Sequence, residues 1–190
     1  MQKRGTKRKA SPGRIISNRY TKRMTDEWGG IDEKIEGLVR ALDTSGIPTT
    51  GSCEGHADHG APAPWVKIGA PENTPADTEA FKEKLAGILR AFYATRKTTD
   101  EARLVLEDGH AGFWLHNGGE AYHCWREQVE QAAENIRKGR KVTACVGEKE
   151  RLERTQNLPR YQEEIRLFAE FLAKLKTATR DQVKFDDINH

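Results

Sequence analysis

Apolar side chains recur with a helical period from Ile31 onward: Ile31, Ile35, Leu38, Val39 and Leu42 fall at i, i+4, i+7, i+8 and i+11. This spacing predicts an amphipathic helix with one buried face, and Gly46 with Pro48 predicts its stop. Phe81, Leu85, Ile88, Leu89 and Phe92 repeat the spacing. Thr74 as N-cap, Pro75 at the first helical position and Asp77 three residues after the cap mark where this second helix begins. After each helix come two short strand-like runs, IPTTGSC and WVKIG after the first, ARLVLE and GFWLH after the second. A loop carrying glycine and histidine separates the runs of each pair, with His56 and His59 in the first and His110 in the second. The chain therefore predicts an α-β-β unit used twice. Two such units make one mostly antiparallel sheet with both helices on one face, an α/β (α+β) two-layer sandwich.

A third helix is expected after Gly118-Gly119, turning Tyr122, Trp125, Val129, Ala133 and Ile136 inward and ending near RKGRK. KVTACVG fits a short strand or a loop. From about Pro159, the steps of four and three through Tyr161, Ile165, Phe168, Leu172 and Leu175 predict a long C-terminal helix lying across the domain. ATRDQVKFDDINH reads as a frayed polar tail. Within the strands, alternation sends Val66, Ile68, Phe113 and Leu115 toward the helices. It leaves Trp65, Lys67, Trp114 and His116 on the open face of the sheet, where a base or another flat ligand could stack.

Composition adds limits to this picture. The chain has 190 residues, 36% of them hydrophobic and 32% charged. That is enough for one cored domain with polar ends: a basic disordered arm over residues 1–27, a single domain over 28–177 and a tail over 178–190. No stretch approaches the roughly 20 apolar residues of a membrane span, and the basic N-terminus has no apolar segment behind it. A cytoplasmic protein without a membrane partner is expected. Cys53, Cys124 and Cys145 are widely spaced, which predicts reduced thiols. The net charge of +3 is uneven, because Lys3, Arg4, Lys7, Arg8 and Lys9 crowd the N-terminus. Such an arm either solubilises the chain or touches phosphates, which makes nucleic acid, RNA first, the expected partner.

The segment TTGSCEGHADHG carries most of the candidate chemistry. Cys53, His56 and His59 form C-x2-H-x2-H, a thiol and two imidazoles of the kind zinc prefers, and His110, His116, His123, Cys124 or water could complete the set. Alternatively Cys53 is a nucleophile, with His56 as base and Glu54 or Asp58 orienting it; Glu54 is also the base a zinc-dependent hydrolase would need. The backbone of Thr50, Gly51, Ser52 and Gly55 could instead cradle a phosphate or carboxylate. The plain structural reading makes the glycines a turn and Cys53 a small buried hydrophobe. His123-Cys124, at the start of the third helix, is a further thiol candidate.

Helix, then P-x-T-T-x-S-C-x-G, then strand, in LVRALDTSGIPTTGSCEGHADHGAPAPWVKIGA, resembles the start of the third protein of the tRNA wybutosine-synthesis family. It also resembles small prokaryotic and phage proteins that carry an S-C-x-G-H segment. The match covers roughly residues 36–69 and rests on Thr50, Ser52, Cys53 and Gly55; the family's arginine position is His56 here. The resemblance implies an α/β domain with a basic ligand-binding cleft. It further implies S-adenosylmethionine-dependent methylation of tRNA. The residues themselves predict a nucleic-acid-associated, RNA-modifying protein that binds a nucleotide-like ligand at the Cys53/His56 loop; the alternatives are a non-enzymatic binding or regulatory module with a structural metal and a metal-dependent hydrolase.

Overall fold

The structure, a computed structural model, describes residues 30–69, 74–109, 112–142 and 146–188, with side chains through residue 177. The arm residues Lys3, Arg4, Lys7, Arg8 and Lys9, together with His110 and Cys145, lie outside the described residues. Eight elements follow in order: α1 (Glu33–Thr44), β1 (Thr49–Cys53), β2 (Trp65–Ile68), α2 (Pro75–Tyr93), β3 (Val105–Gly109), β4 (Gly112–His116), α3 (Gly119–Arg137) and α4 (Glu148–Ile188).

The repeated α-β-β pattern is present. The sheet has the order β1-β2-β4-β3 and every pairing is antiparallel. The two hairpins thus meet along β2 and β4, whose register sets Val66 opposite Leu115 and Ile68 opposite Phe113. These four side chains are buried against Ile35, Leu38 and Leu42 of α1, Leu85 and Phe92 of α2, and Ile165, Phe168 and Leu172 of α4. Three helices therefore cover one face, and burying each large aliphatic side chain contributes roughly 1.5–3 kcal/mol. Phe168 meets Phe92 edge to face at 5.2 Å, so α4 closes the core between α1 and α2. The start of α2 is as the sequence predicts: Thr74 accepts from Asp77 N–H while the Asp77 carboxylate accepts from Thr74 N–H, a reciprocal cap.

Two helices depart from the expected pattern. In α3 only Tyr122 is fully buried and Trp125 is half-buried, whereas Val129 is 46% and Ile136 63% exposed. The helix packs through its first turns alone, so the rest of its apolar stripe has no core to enter. The last helix begins at Glu148 and runs to Ile188. It takes in eleven residues before Pro159 and most of the segment expected to be a tail. Pro159 lies inside it, a position that removes one helical hydrogen bond without ending the helix here.

Candidate metal centre

The end of β1 and the start of α1 are tied together by a reciprocal pair. Glu54 N–H donates to Asp32 Oδ2 at 3.2 Å, and Lys34 N–H donates to Glu54 Oε2 at 3.0 Å. This places Asp32, the residue that precedes α1, beside the end of β1. The ligand atoms of Asp32, Cys53 and His56 lie within 4.8 Å of one another. With metal–ligand bonds of about 2.0–2.3 Å, a tetrahedral edge is about 3.3–3.8 Å, so small side-chain adjustments bring all three onto one ion. The surroundings of Cys53 are hostile to a free thiolate. Burial pushes its pKa up, the Gly55 N–H bond to Sγ acts the other way, and the Asp32 and Glu54 carboxylates raise it further. A nucleophilic cysteine needs the opposite environment, whereas a divalent cation fits an anionic pocket that holds a protonated thiol.

The loop after β1 is shaped by α4. Arg154, 5% exposed, donates through Nη1 to the carbonyls of Gly60 at 2.9 Å and His56 at 3.4 Å, and through Nη2 to Glu150 at 2.6 Å. Gln162 donates to the Glu54 carbonyl at 3.1 Å. Leu158, between them on the same helix face, fills the space over Gly55: a Cβ there would stand 2.7 Å from its Cδ1 and 2.8 Å from the Ala63 carbonyl carbon, with φ at +78°. Only glycine fits that position. His56 N–H closes the loop on the Ala61 carbonyl at 2.7 Å.

These contacts reassign several predicted roles. Glu54 serves as a cap of α1, so its carboxylate is not a free general base. Of the backbone cradle expected from Thr50, Gly51, Ser52 and Gly55, the Gly55 amide is already engaged within the protein. The Glu54, Gly55 and His56 amides donate to Asp32, Cys53 and Ala61, and Ser52 pairs with Val66 on the helix-covered side of the sheet. His59 lies against His56 with ring centroids 4.2 Å apart and planes 17° from parallel. In-plane lone pairs of two stacked imidazoles do not converge, so the two cannot share one ion in this arrangement; His59 Nδ1 instead meets Asp58 Oδ1 at 2.6 Å. Cys124 is exposed, and local desolvation with the nearby Glu120 raises its pKa, so the helix start does not activate it.

Trp65, Lys67, Trp114 and His116 do share the second face of the sheet. Cys53 joins them, because the register runs Cys53, Trp65, His116 in one row and Gly51, Lys67, Trp114, Glu107 in the next. This face is not fully open as expected. Tyr122 of α3 stacks on His116 with centroids 3.8 Å apart, and His116 is completely buried. Glu107 accepts from His116 at 2.9 Å and from Arg126 at 2.6 Å, with His123 at 3.7 Å. Lys67 and Arg126 lie 5.7 and 5.4 Å from the Trp114 ring centre, a cation–π geometry. Burial holds the His116 pKa down at about 4, against the opposing pull of the Asn117 carbonyl and Glu107.

No protein-family model, curated protein or solved structure matches this chain. The wybutosine resemblance therefore rests on the sequence pattern over roughly residues 36–69, with Thr50, Ser52, Cys53 and Gly55 as its distinctive part. Residues 54–62 of the loop, in turn, owe their placement to Arg154 and Gln162, which sequence reasoning missed. The missed signal was periodic. Stepping back from Tyr161 by three and then four gives Leu158 and Arg154, in phase with the buried stripe of α4. A concavity of about 1000 Å³ between α1 and α4 is lined by Gly37, Ala41, Ala169 and Ala173 together with charged side chains such as Arg40, Arg166 and Lys176, and by no thiol or imidazole. No described helix is long and apolar enough to cross a membrane.

Proposed function

We propose that this protein is a nucleic-acid-associated metalloprotein in which Asp32, Cys53 and His56 hold a zinc-class divalent cation beside a surface for a nucleotide-like ligand. The observation that carries the reading is the convergence of one carboxylate, one thiol and one imidazole from the α1 start, the β1 end and the following loop. Three protein ligands leave a fourth position for water or substrate, which is the arrangement of hydrolytic zinc rather than of a closed structural site. Held by these three residues, a zinc-class ion would supply Lewis acidity and an acidified water at its open position, chemistry that would not call on Glu54, whose carboxylate caps α1. Trp65, on the row of Cys53, and the Lys67–Trp114 pair beyond it supply an aromatic and cationic surface for a base and its phosphate.

The N-terminal cations would add sequence-independent affinity for the polynucleotide. Free Cys53 and Cys124 suit a reducing compartment, the cytoplasm in this reading. The test is native mass spectrometry of the full chain after exposure to zinc. One bound equivalent is expected, lost in Cys53→Ala, His56→Ala and Asp32→Asn and kept in His59→Ala. Apo protein throughout would end the metal reading. RNA binding measured by fluorescence anisotropy should weaken when residues 1–24 are removed and should fall steeply with salt; unchanged affinity would detach the arm from nucleic acid.

A further inference from the structure

We infer that residues 16–28 dock back on the fold, as a helix lying in the groove between α1 and α4 and running antiparallel to α1. The groove is open along the whole of α1. Lys34 and Gln162 line one end, both bound to Glu54, and Thr44 and Lys176 line the other, where Lys176 Nζ donates to the Thr44 carbonyl at 2.9 Å. Between these ends the concavity, about 1000 Å³, reaches Leu38, Ile165 and Leu172 of the core. The walls over them are Gly37 and Ala41 on α1 and Ala169 and Ala173 on α4, so large side chains from another segment find room against the core.

The occupant follows from where the chain enters. Gly30 is the first described residue, three before Glu33 at the Lys34 end of the groove, and Ile31 between them packs on the core. The residues ahead of Gly30 divide into two parts. Lys3, Arg4, Lys7, Arg8, Lys9 and Arg14 crowd residues 1–14, where Met1 is the one large apolar side chain, whereas residues 15–28 carry Ile15, Ile16, Tyr20, Met24 and Trp28. Ile16, Tyr20, Met24 and Trp28 are four apart, and steps of four hold them within about a third of a helix circumference. A helix over residues 16–28 is about 20 Å long, against about 18 Å for α1. Gly29 and Gly30 end it and let the chain reverse. Gly30 stands at φ +109°, which L side chains rarely adopt, and residues 29–32 are a connection of the length that joins two antiparallel helices. The reversal lays Trp28 at the Lys34 end and Ile16 at the Lys176 end. Glu27, which shares the apolar arc, comes beside Lys34 and the N-terminus of α1, where a carboxylate is favoured. Arg19 and Lys22 fall outside the arc and stay in water, and the cations of residues 1–14 remain free for a polynucleotide.

The test is hydrogen–deuterium exchange, read by mass spectrometry on the full chain. Amides of residues 18–28 should exchange at least about tenfold more slowly than an unstructured chain. Tyr20→Asp combined with Met24→Asp should abolish that protection. So should Ala173→Trp, which fills the groove from an exposed position on its wall, and Gly37→Leu, whose added Cβ meets only Ala169, at 3.9 Å. Peptides from β2 and β4 in the same spectra report that the core of each variant is intact. Random-coil exchange of residues 18–28 in the wild-type chain overturns the inference. Protection that survives both groove variants overturns it as well, and sends the segment to another surface such as the exposed stripe of α3. Protection that disappears on dilution overturns docking within one chain and assigns the groove to the segment of a second copy.

Discussion

The side chains that matter most here are polar groups held in apolar surroundings, and each can be read by what its burial forces. Cys53 is kept protonated by burial and by the Asp32 and Glu54 carboxylates, so its chemistry waits on a cation. His116 shows the same logic with the opposite charge. It is fully buried between the sheet and Tyr122, with an acceptor near each ring nitrogen, and a neutral imidazole can donate to only one of them. Burial nevertheless dominates and lowers its pKa to about 4, below the roughly 6.5 of an unfolded chain. Between those values the unfolded state binds the extra proton, so stability rises with pH across the window and is lost as pH falls from about 6.5 toward 4. The difference corresponds to at most about 3 kcal/mol. Urea denaturation at a series of pH values should show this slope, and His116→Phe should flatten it, because a phenyl ring keeps the Tyr122 stack and Glu107 keeps Arg126.

At the scale of elements, one helix does two jobs. The stripe of α4 that closes the core with Ile165, Phe168 and Leu172 continues toward its N-terminus as Tyr161, Leu158 and Arg154, and there it holds the loop that bears His56. Arg154→Ala would leave the Gly60 and His56 carbonyls without that partner, at a cost of about 1–3 kcal/mol. Arg154→Lys, a point charge without the planar fork, should recover part of this. Chemical denaturation checks the first effect. Weaker zinc retention in Arg154→Ala would show that the loop's geometry depends on the helix, and unaltered stability would show that the loop holds itself. The elements were largely legible because hydrophobic period and caps are local: the stripes of α1 and α2, the Thr74 cap and the strand alternation all appear in the sequence. What was not legible depends on distance along the chain. Asp32 joins Cys53 only because α1 starts where β1 ends. Glu54 and the loop amides were spent on contacts to partners that no local pattern names. The inward reading of Val129 and Ile136 failed for a related reason, since a stripe reports amphipathicity and not which surface covers it.

For the whole molecule, the consequence is that the candidate centre joins parts that folding alone must otherwise hold together. Asp32 stands ahead of α1, Cys53 ends β1 in the sheet, and His56 lies on a loop gripped by α4. An unfolded chain does not keep those three ligand atoms within reach of one ion, so a cation that binds the folded state selectively adds its binding free energy to stability. At a zinc concentration about a hundred times the dissociation constant, this amounts to about 2.7 kcal/mol, which for a chain of this size is a rise in Tm of roughly 5–10 °C. Calorimetry should therefore show that rise in the wild-type chain and in His59→Ala, whose ring stacks beside the site without entering it. It should be absent in Cys53→Ser and in Asp32→Asn. The pattern across the four proteins separates a three-residue centre from nonspecific binding. Histidine and thiol groups exposed by unfolding attract zinc to the denatured state and lower the Tm, so a rise that needs Asp32, the one oxygen ligand, can only come from the folded arrangement of α1, β1 and the loop.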